Sequence, residues 1–334
     1  MPSHATDALT DVVIVGAGPV GLACGIEAGR NGLSAFLIDK GAIVNSLIGY
    51  PTNMEFFSTP DLLEIGGHPF PTQRYKPIRE EALDYYCRVA MSEGLDIRTY
   101  ERVERLTGTM GNFVVHTNRG TYPCRFVVLA TGFFDIPNRL DIPGEDLPHV
   151  THYFKEPYKY AGRHIAVIGA KNSAAKAALQ CNRHDADVTL IVRGPTLSDS
   201  IKYWLKPDLE NRIKEGAIRA FFDTTVTAIT ETDLHLQTPD GPVVHRSDWV
   251  LAMTGYRPDY PFLSALGIAF EEDEARTPVH DPATFETNRP GLFLAGTVCG
   301  GLRTSRWFIE NGRFHAAVIM ASLADRTVPV EQGS

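Results

Sequence analysis

The stretch "DVVIVGAGPVGLACGIEAG", residues 11–29, decides the fold. The apolar run Val12–Val15 reads as a buried strand. A glycine-rich turn follows, and Ala, Leu, Ile and Glu then recur at helical spacing. In the turn, Gly16 permits a tight reversal, Gly18 lets the backbone approach a pyrophosphate, and Gly21 lets the helix pack closely on the strand. Pro19 and Val20 belong to the same turn. The helix N-terminus offers free N–H groups and a partial positive charge to phosphates. "SAFLID" then forms a second buried strand, ending in Asp39, 23 residues after Gly16 and suited to accept hydrogen bonds from a ribose diol. Strand, glycines, helix, strand and acid in register make a dinucleotide-binding unit, not an ordinary βα turn.

The unit recurs in "HIAVIGAKNSAAKAALQC", residues 164–181. In its turn, "GAKNSA", only Gly169 survives. Ala174 is small enough for close packing, Lys171 replaces a backbone approach with a charge, and Asn172 and Ser173 are free to donate directly. The next strand ends at Arg193, 24 residues after Gly169. A cation there accommodates a 2′-phosphate and favours NADPH over NADH, with Lys202 able to join it. Without a ligand, Arg193 and Lys202 are a solvated rim, and both readings stand.

Each copy continues into a β-meander and returns through an apolar strand to a Thr-Gly pair, Thr131-Gly132 in the first and Thr254-Gly255 in the second. The segment from Pro290 onward has no counterpart in the second copy, so it returns to complete the first domain. The expected fold is α/β: two Rossmann-like, three-layer ββα nucleotide-binding domains, the second inserted in the first. Residues 1–158 and 263–334 are expected to form the first of these domains and 159–262 the second, NADPH-binding one. Two such domains imply two nucleotides face to face, a tightly held flavin and a mobile nicotinamide.

The chain has 334 residues, long enough for two domains of about 150 each. A net charge of −8 argues against a general nucleic-acid surface. No apolar run reaches the length of a membrane span. "MPSHATDALT" lacks the apolar core of a signal peptide. Five cysteines without a C-x-x-C pair read as reduced thiols and a cytoplasmic address.

These features resemble the two-dinucleotide-binding-domain flavoproteins of the thioredoxin reductase type. The first glycine turn with Asp39 resembles their FAD site, "VVLATGFFDIPN" (127–138) their crossover segment, and "GLFLAGTVCGG" (291–301) their C-terminal flavin segment. "YPTNMEFFSTPDLLEIGGHPF" (50–70), "LSDSIKYWLKPD" (197–208) and "TSRWFIENGRFHA" (304–316) are similar to the bacillithiol disulfide reductase-like subgroup. The resemblance implies FAD, NADPH, a homodimer, and a low-molecular-weight disulfide as acceptor. Beyond the glycines, Asp39 and Thr131-Gly132, the resemblance counts Lys40, Val103, Gly296 and Thr297 toward FAD, and Gly255 toward NADPH. Three departures stand out. No C-x-x-C precedes the second turn, Val20 replaces the single Cys the subgroup places in the first, and Thr297 replaces an Asp of the flavin segment.

Asn45 and Ser46 follow the second strand and can serve flavin phosphate or ribityl oxygens. Tyr50, Phe56 and Phe57 either wall off the flavin ring or form a core cluster. Cys24 reads as a helix-core residue or a redox thiol. Cys299 lies before the last helix, whose N-terminus would lower its pKa, and is the candidate catalytic residue; otherwise it is a small apolar neighbour of the flavin. His149 and His152 lack a third ligand, and no metal site is expected. The acceptor is a small molecule or a small protein. Three functions remain open: disulfide reduction; reduction of a ferredoxin, flavodoxin or quinone without a protein thiol; and a flavin- or NADPH-binding regulatory module.

Overall fold

The computed structural model describes residues 9–327. The outer ends of the expected first domain, 1–8 and 328–334, lie outside the described residues, as does most of the N-terminal stretch read for a leader. Two compact units form: one from the chain up to Ile48 with Asn53–Ile136 and the segment from Tyr256, the other from Gly49–Thr52 and Pro137–Gly255.

In the first unit, β1 (Thr10–Val15), β2 (Ala35–Ile38), β3 (Ile97–Arg98), β4 (Val103–Thr109), β5 (Asn112–Thr117) and β6 (Thr121–Leu129) share one sheet in the order β3-β2-β1-β6-β5-β4. β1 runs parallel to β2 and β6, with Val12 opposite Ala35 on one side and Phe126 on the other. β6 serves two layers. Its first half pairs antiparallel with β5, and its second half pairs parallel with β1 and with the strand Leu292–Leu294. That last pairing brings the C-terminal segment back to the first unit. Strand residues Val12, Val13 and Ile14 are fully buried, each contributing about 1.5–3 kcal/mol of hydrophobic stabilisation. Helix α1 (Pro19–Arg30) buries Leu22, Ala23, Cys24 and Ile26. It packs against the C-terminal helix His315–Thr327, whose Ala316, Ile319, Met320 and Leu323 form the i, i+3, i+4, i+7 stripe that such packing needs.

The second unit has a five-stranded parallel sheet, ordered Ile218–Phe221, Asp187–Ile191, His164–Ile168, Trp249–Ala252, Val150–Thr151. The helix Asn172–Arg183 lends Ala174, Ala177, Ala178 and Cys181 to one core with Val167, Val188 and Leu190 of the sheet. The meander 225–246 brings Ile229, Leu234 and Leu236 into a second core with Ala166, Ile168 and Val250. The layers are therefore meander, sheet and helix.

The chain passes between units at 136/137 and 255/256, not at 158/159 and 262/263. The reason is a strand pairing: Val150 and Thr151 lie opposite Val250 and Leu251 at the edge of the second sheet. Tyr50, expected beside the flavin, falls in a short segment grouped with the second unit, where the Thr52 N–H donates to Lys155 O at 2.9 Å. No helix among the described residues is long and apolar enough to cross a membrane.

Candidate functional site

The first turn is built by sterics. Gly16 sits at φ +110°, and a Cβ on it would lie 2.4 Å from Ala130 O. A Cβ on Gly21 would lie 1.9 Å from Gly16 O, so the first turn of α1 rests directly on the loop backbone. Gly18 differs: nothing lies within 4 Å of where its Cβ would be. It occupies the N-cap of α1, with Pro19 behind it and no side chain capping the helix. The first helical N–H groups therefore face open space over a residue without a side chain, the geometry a pyrophosphate fits.

Asp39, at the end of β2, ties this turn to the strand. Its Oδ2 accepts the Ala17 N–H and its Oδ1 the Gly41 N–H, each at 2.8 Å. Burial pushes its carboxyl above the ordinary range, the two N–H groups pull it back, and Asp135 adds to the rise. Each oxygen still has a lone pair for a ribose hydroxyl. Lys40 pairs with Asp135 at 2.9 Å. Asn45 opens a short helix, Asn45–Ile48, that contains the half-buried Ser46. Its Oδ1 accepts the Ala42 N–H at 3.4 Å. The Glu101 N–H donates to Asp39 O, which brings the chain just before the buried Val103 to the end of β2.

Opposite this turn lie Thr131, Gly132, Gly296 and Thr297. Gly132 is at φ +67°, and a Cβ on it would lie 3.7 Å from the Thr297 Oγ1. Gly296 is at φ +80°, where a Cβ would touch the Val20 side chain at 3.1–3.2 Å. Val20 thus fills the space against the C-terminal segment as an apolar plug, and is buried. Phe56 is buried, whereas Phe57 is 43% exposed, and only the former behaves as core.

Cys299 is fully buried. Burial pushes its thiol well up, against the lowering expected from a helix N-terminus. The turn Gly296–Gly300 is a 3₁₀ segment enclosed by its neighbours, so desolvation outweighs any dipole. Burial also pushes the thiols of Cys24, Cys124 and Cys181 up to about 12. A residue that was given no role in the sequence, His315, lies beside Cys299. Its Nδ1 accepts the Gly296 N–H at 3.1 Å and is 3.9 Å from Cys299 Sγ. Its ring stacks on Phe285 at 3.9 Å, and burial pushes its pKa down to about 4. The only sequence signal was its place in the distinctive stretch 304–316.

The second turn follows the same plan with other atoms. Gly169 is at φ +139°, and a Cβ on it would lie 2.6 Å from Met253 O and 3.2 Å from the Ala174 Cβ. Lys171 is the N-cap of the helix Asn172–Arg183, without a side-chain cap. Lys171, Ser173 and Arg193 are exposed. Among the described residues, no hydrogen bond or ion pair engages the Lys171 or Arg193 side chain. The Asn172 Nδ2 donates one of its two hydrogens to Ser200 O at 3.0 Å, and its Oδ1 accepts the Lys202 N–H at 2.9 Å. Gly255 is at φ +89°, and its carbonyl accepts the Asn138 N–H at 2.9 Å.

Comparison with known proteins agrees with this pair of turns. The family model of pyridine nucleotide-disulphide oxidoreductases matches residues 13–296. Bacilliredoxin reductase Bdr of Bacillus subtilis is 40% identical, over 94% of this chain and 97% of that protein. The solved structure of bacillithiol disulfide reductase Bdr from Bacillus cereus superposes with a TM-score of 0.93 at 38% identity, covering 96% of this chain and 100% of that one. A ferredoxin–NADP reductase of Granulibacter bethesdensis is 28% identical, over 86% of this chain and 81% of that protein. The resemblance drawn from the sequence is borne out.

Proposed function

The chain belongs to the pyridine nucleotide-disulphide oxidoreductase family and is a flavin-dependent oxidoreductase; on that premise we propose that it holds FAD in the first unit, oxidises NADPH at the second, and reduces a low-molecular-weight thiol disulfide. The observation that carries this reading is the contrast between the two turns, one ending at the carboxylate Asp39 and the other at the unpaired cation Arg193. FAD, when bound, supplies the two-electron carrier between nucleotide and acceptor.

The chain's own residues bind and orient. Gly18 and the N-terminus of α1 take the FAD pyrophosphate, and Asp39 takes the ribose, with Lys40 held aside by Asp135. Thr131, Gly132, Gly296 and Thr297 face the ribityl chain, and Asn45 and Ser46 the phosphate side. Val20 keeps this contact dry. Gly169, Ala174 and Gly255 shape the second turn, while Lys171, Ser173, Arg193 and Lys202 meet the NADPH phosphates. The overall reaction balances as NADPH, one proton and a disulfide giving NADP⁺ and two thiols. We take the working form to be a cytoplasmic homodimer, as the resemblance implies.

One observation favours a second acceptor class, a ferredoxin, flavodoxin or quinone. Four of the five cysteines are buried, so the chain offers no ready thiolate to a disulfide. The test is direct. The purified protein should show a flavin spectrum that bleaches when NADPH is added without oxygen. Absence of bleaching defeats both acceptor readings. NADPH consumption with a disulfide, a ferredoxin and a quinone then separates them.

A further inference from the structure

The loop Leu197–Leu205 is tied to the second unit at several points. Leu197 and Ile201 are buried in the core of the second unit. The Ser198 N–H donates to Ala170 O at 3.1 Å, inside the second glycine turn. Both ends of the Asn172 amide engage the same loop, one at Ser200 O and the other at the Lys202 N–H. Asn172 stands at the first position of its helix, where its own N–H needs no intrahelical partner. Asn is also a poor helix former. Helix formation gives no reason for this residue, whereas the loop does.

We propose that Asn172 is a positioning residue for nucleotide specificity, fixing the loop so that Lys202 stands as the second cation of the 2′-phosphate site beside Arg193. The proposal rests on reading the second unit as the NADPH site. A phosphate carrying close to two negative charges is held best by more than one cation. Lys202 is the lysine of this loop, and its backbone N–H is the group that Asn172 grips. The proposed role of Asn172 is exerted through the loop. It sets where Lys202 starts from.

Isothermal titration of the flavin-loaded protein with NADP⁺ and NAD⁺ tests this without turnover. Asn172→Ala should weaken NADP⁺ about tenfold and NAD⁺ less than about twofold, because only NADP⁺ carries the 2′-phosphate. The same substitution in a Lys202→Ala background should change NADP⁺ affinity by less than about twofold, since residues acting as one unit are not additive. Asn172→Asp keeps the acceptor for the Lys202 N–H and should lose less than Asn172→Ala. Equal weakening of both nucleotides, or effects of Asn172 and Lys202 that multiply, would overturn the positioning role. Unsubstituted protein that binds NAD⁺ as tightly as NADP⁺ would instead overturn the NADPH assignment, a result recognisable before any variant is made.

Discussion

The Nδ1 of His315 accepts the backbone N–H of Gly296 at 3.1 Å. This bond fixes the ring as neutral with its proton on Nε2, because a protonated imidazole has no acceptor. The folded pKa, pushed down to about 4 by burial, lies below the ordinary His value of 6.5. The unfolded chain therefore binds the extra proton first. The stability tied to His315 is fully present above about pH 6.5 and is lost as pH falls toward 4, up to about 3 kcal/mol in all. Thermal unfolding followed between pH 4 and 8 should show this decline. His315→Gln should flatten the slope between pH 4 and 6.5, and an unchanged slope would remove His315 as its source.

The glycines of the first turn do different jobs, and alanine separates them. Gly21→Ala puts a methyl 1.9 Å from Gly16 O, so α1 must lift off the loop. A loss of about 1–3 kcal/mol in unfolding free energy should result, with weak flavin retention. Gly18→Ala meets nothing within 4 Å and keeps a φ of −72° that alanine adopts freely. It should unfold like the parent yet bind FAD at least about tenfold more weakly, since its methyl enters the phosphate approach. Denaturant unfolding and equilibrium flavin binding read the two effects independently. A Gly18→Ala protein with parental flavin affinity would refute the phosphate cradle.

Much of this was legible because the demands are local. Gly16, Gly18, Gly21 and Asp39 announce themselves by residue type and spacing, and Gly169 with Arg193 does so again. The parts that were not legible depend on partners far along the chain. Val150–Thr151 join the second sheet only through register with Trp249–Ala252, so the domain boundary could not be read from composition. The bonds of Asn172 to Ser200 and Lys202 were not legible, because those partners lie 28 and 30 residues away. Cys299 looked activated because helix position is visible in a sequence and desolvation by packed neighbours is not.

Cysteine chemistry should follow burial. A thiol with a pKa near 12, as in Cys24, Cys124 and Cys181, is ionised to only about one part in ten thousand at pH 8. Cys299 is held higher still. Native protein treated with iodoacetamide should remain unlabelled at these four positions by mass spectrometry, with slow labelling only at the half-buried Cys87. Cys299→Ser should keep NADPH-dependent turnover within about twofold of the parent. Stoichiometric labelling of Cys299, or collapse of turnover in that variant, would restore the catalytic role that burial argues against.

Arg193 carries the sharpest consequence of the second turn. Its guanidinium is exposed, and among the described residues it has no ion-pair partner. A cation kept unpaired at the end of the strand after a dinucleotide turn meets the 2′-phosphate that distinguishes NADPH from NADH. Arg193→Ala removes that charge without exposing a buried carboxylate. The apparent Kd for NADPH, taken from the concentration dependence of anaerobic flavin reduction, should rise about ten- to a hundredfold. The value for NADH should stay within about twofold, and the limiting rate of reduction should hold for both, because the lost contact is remote from the transferred hydride. Equal loss for the two nucleotides would show that Arg193 serves the common part of the dinucleotide, or the fold, and would detach the specificity argument from this residue.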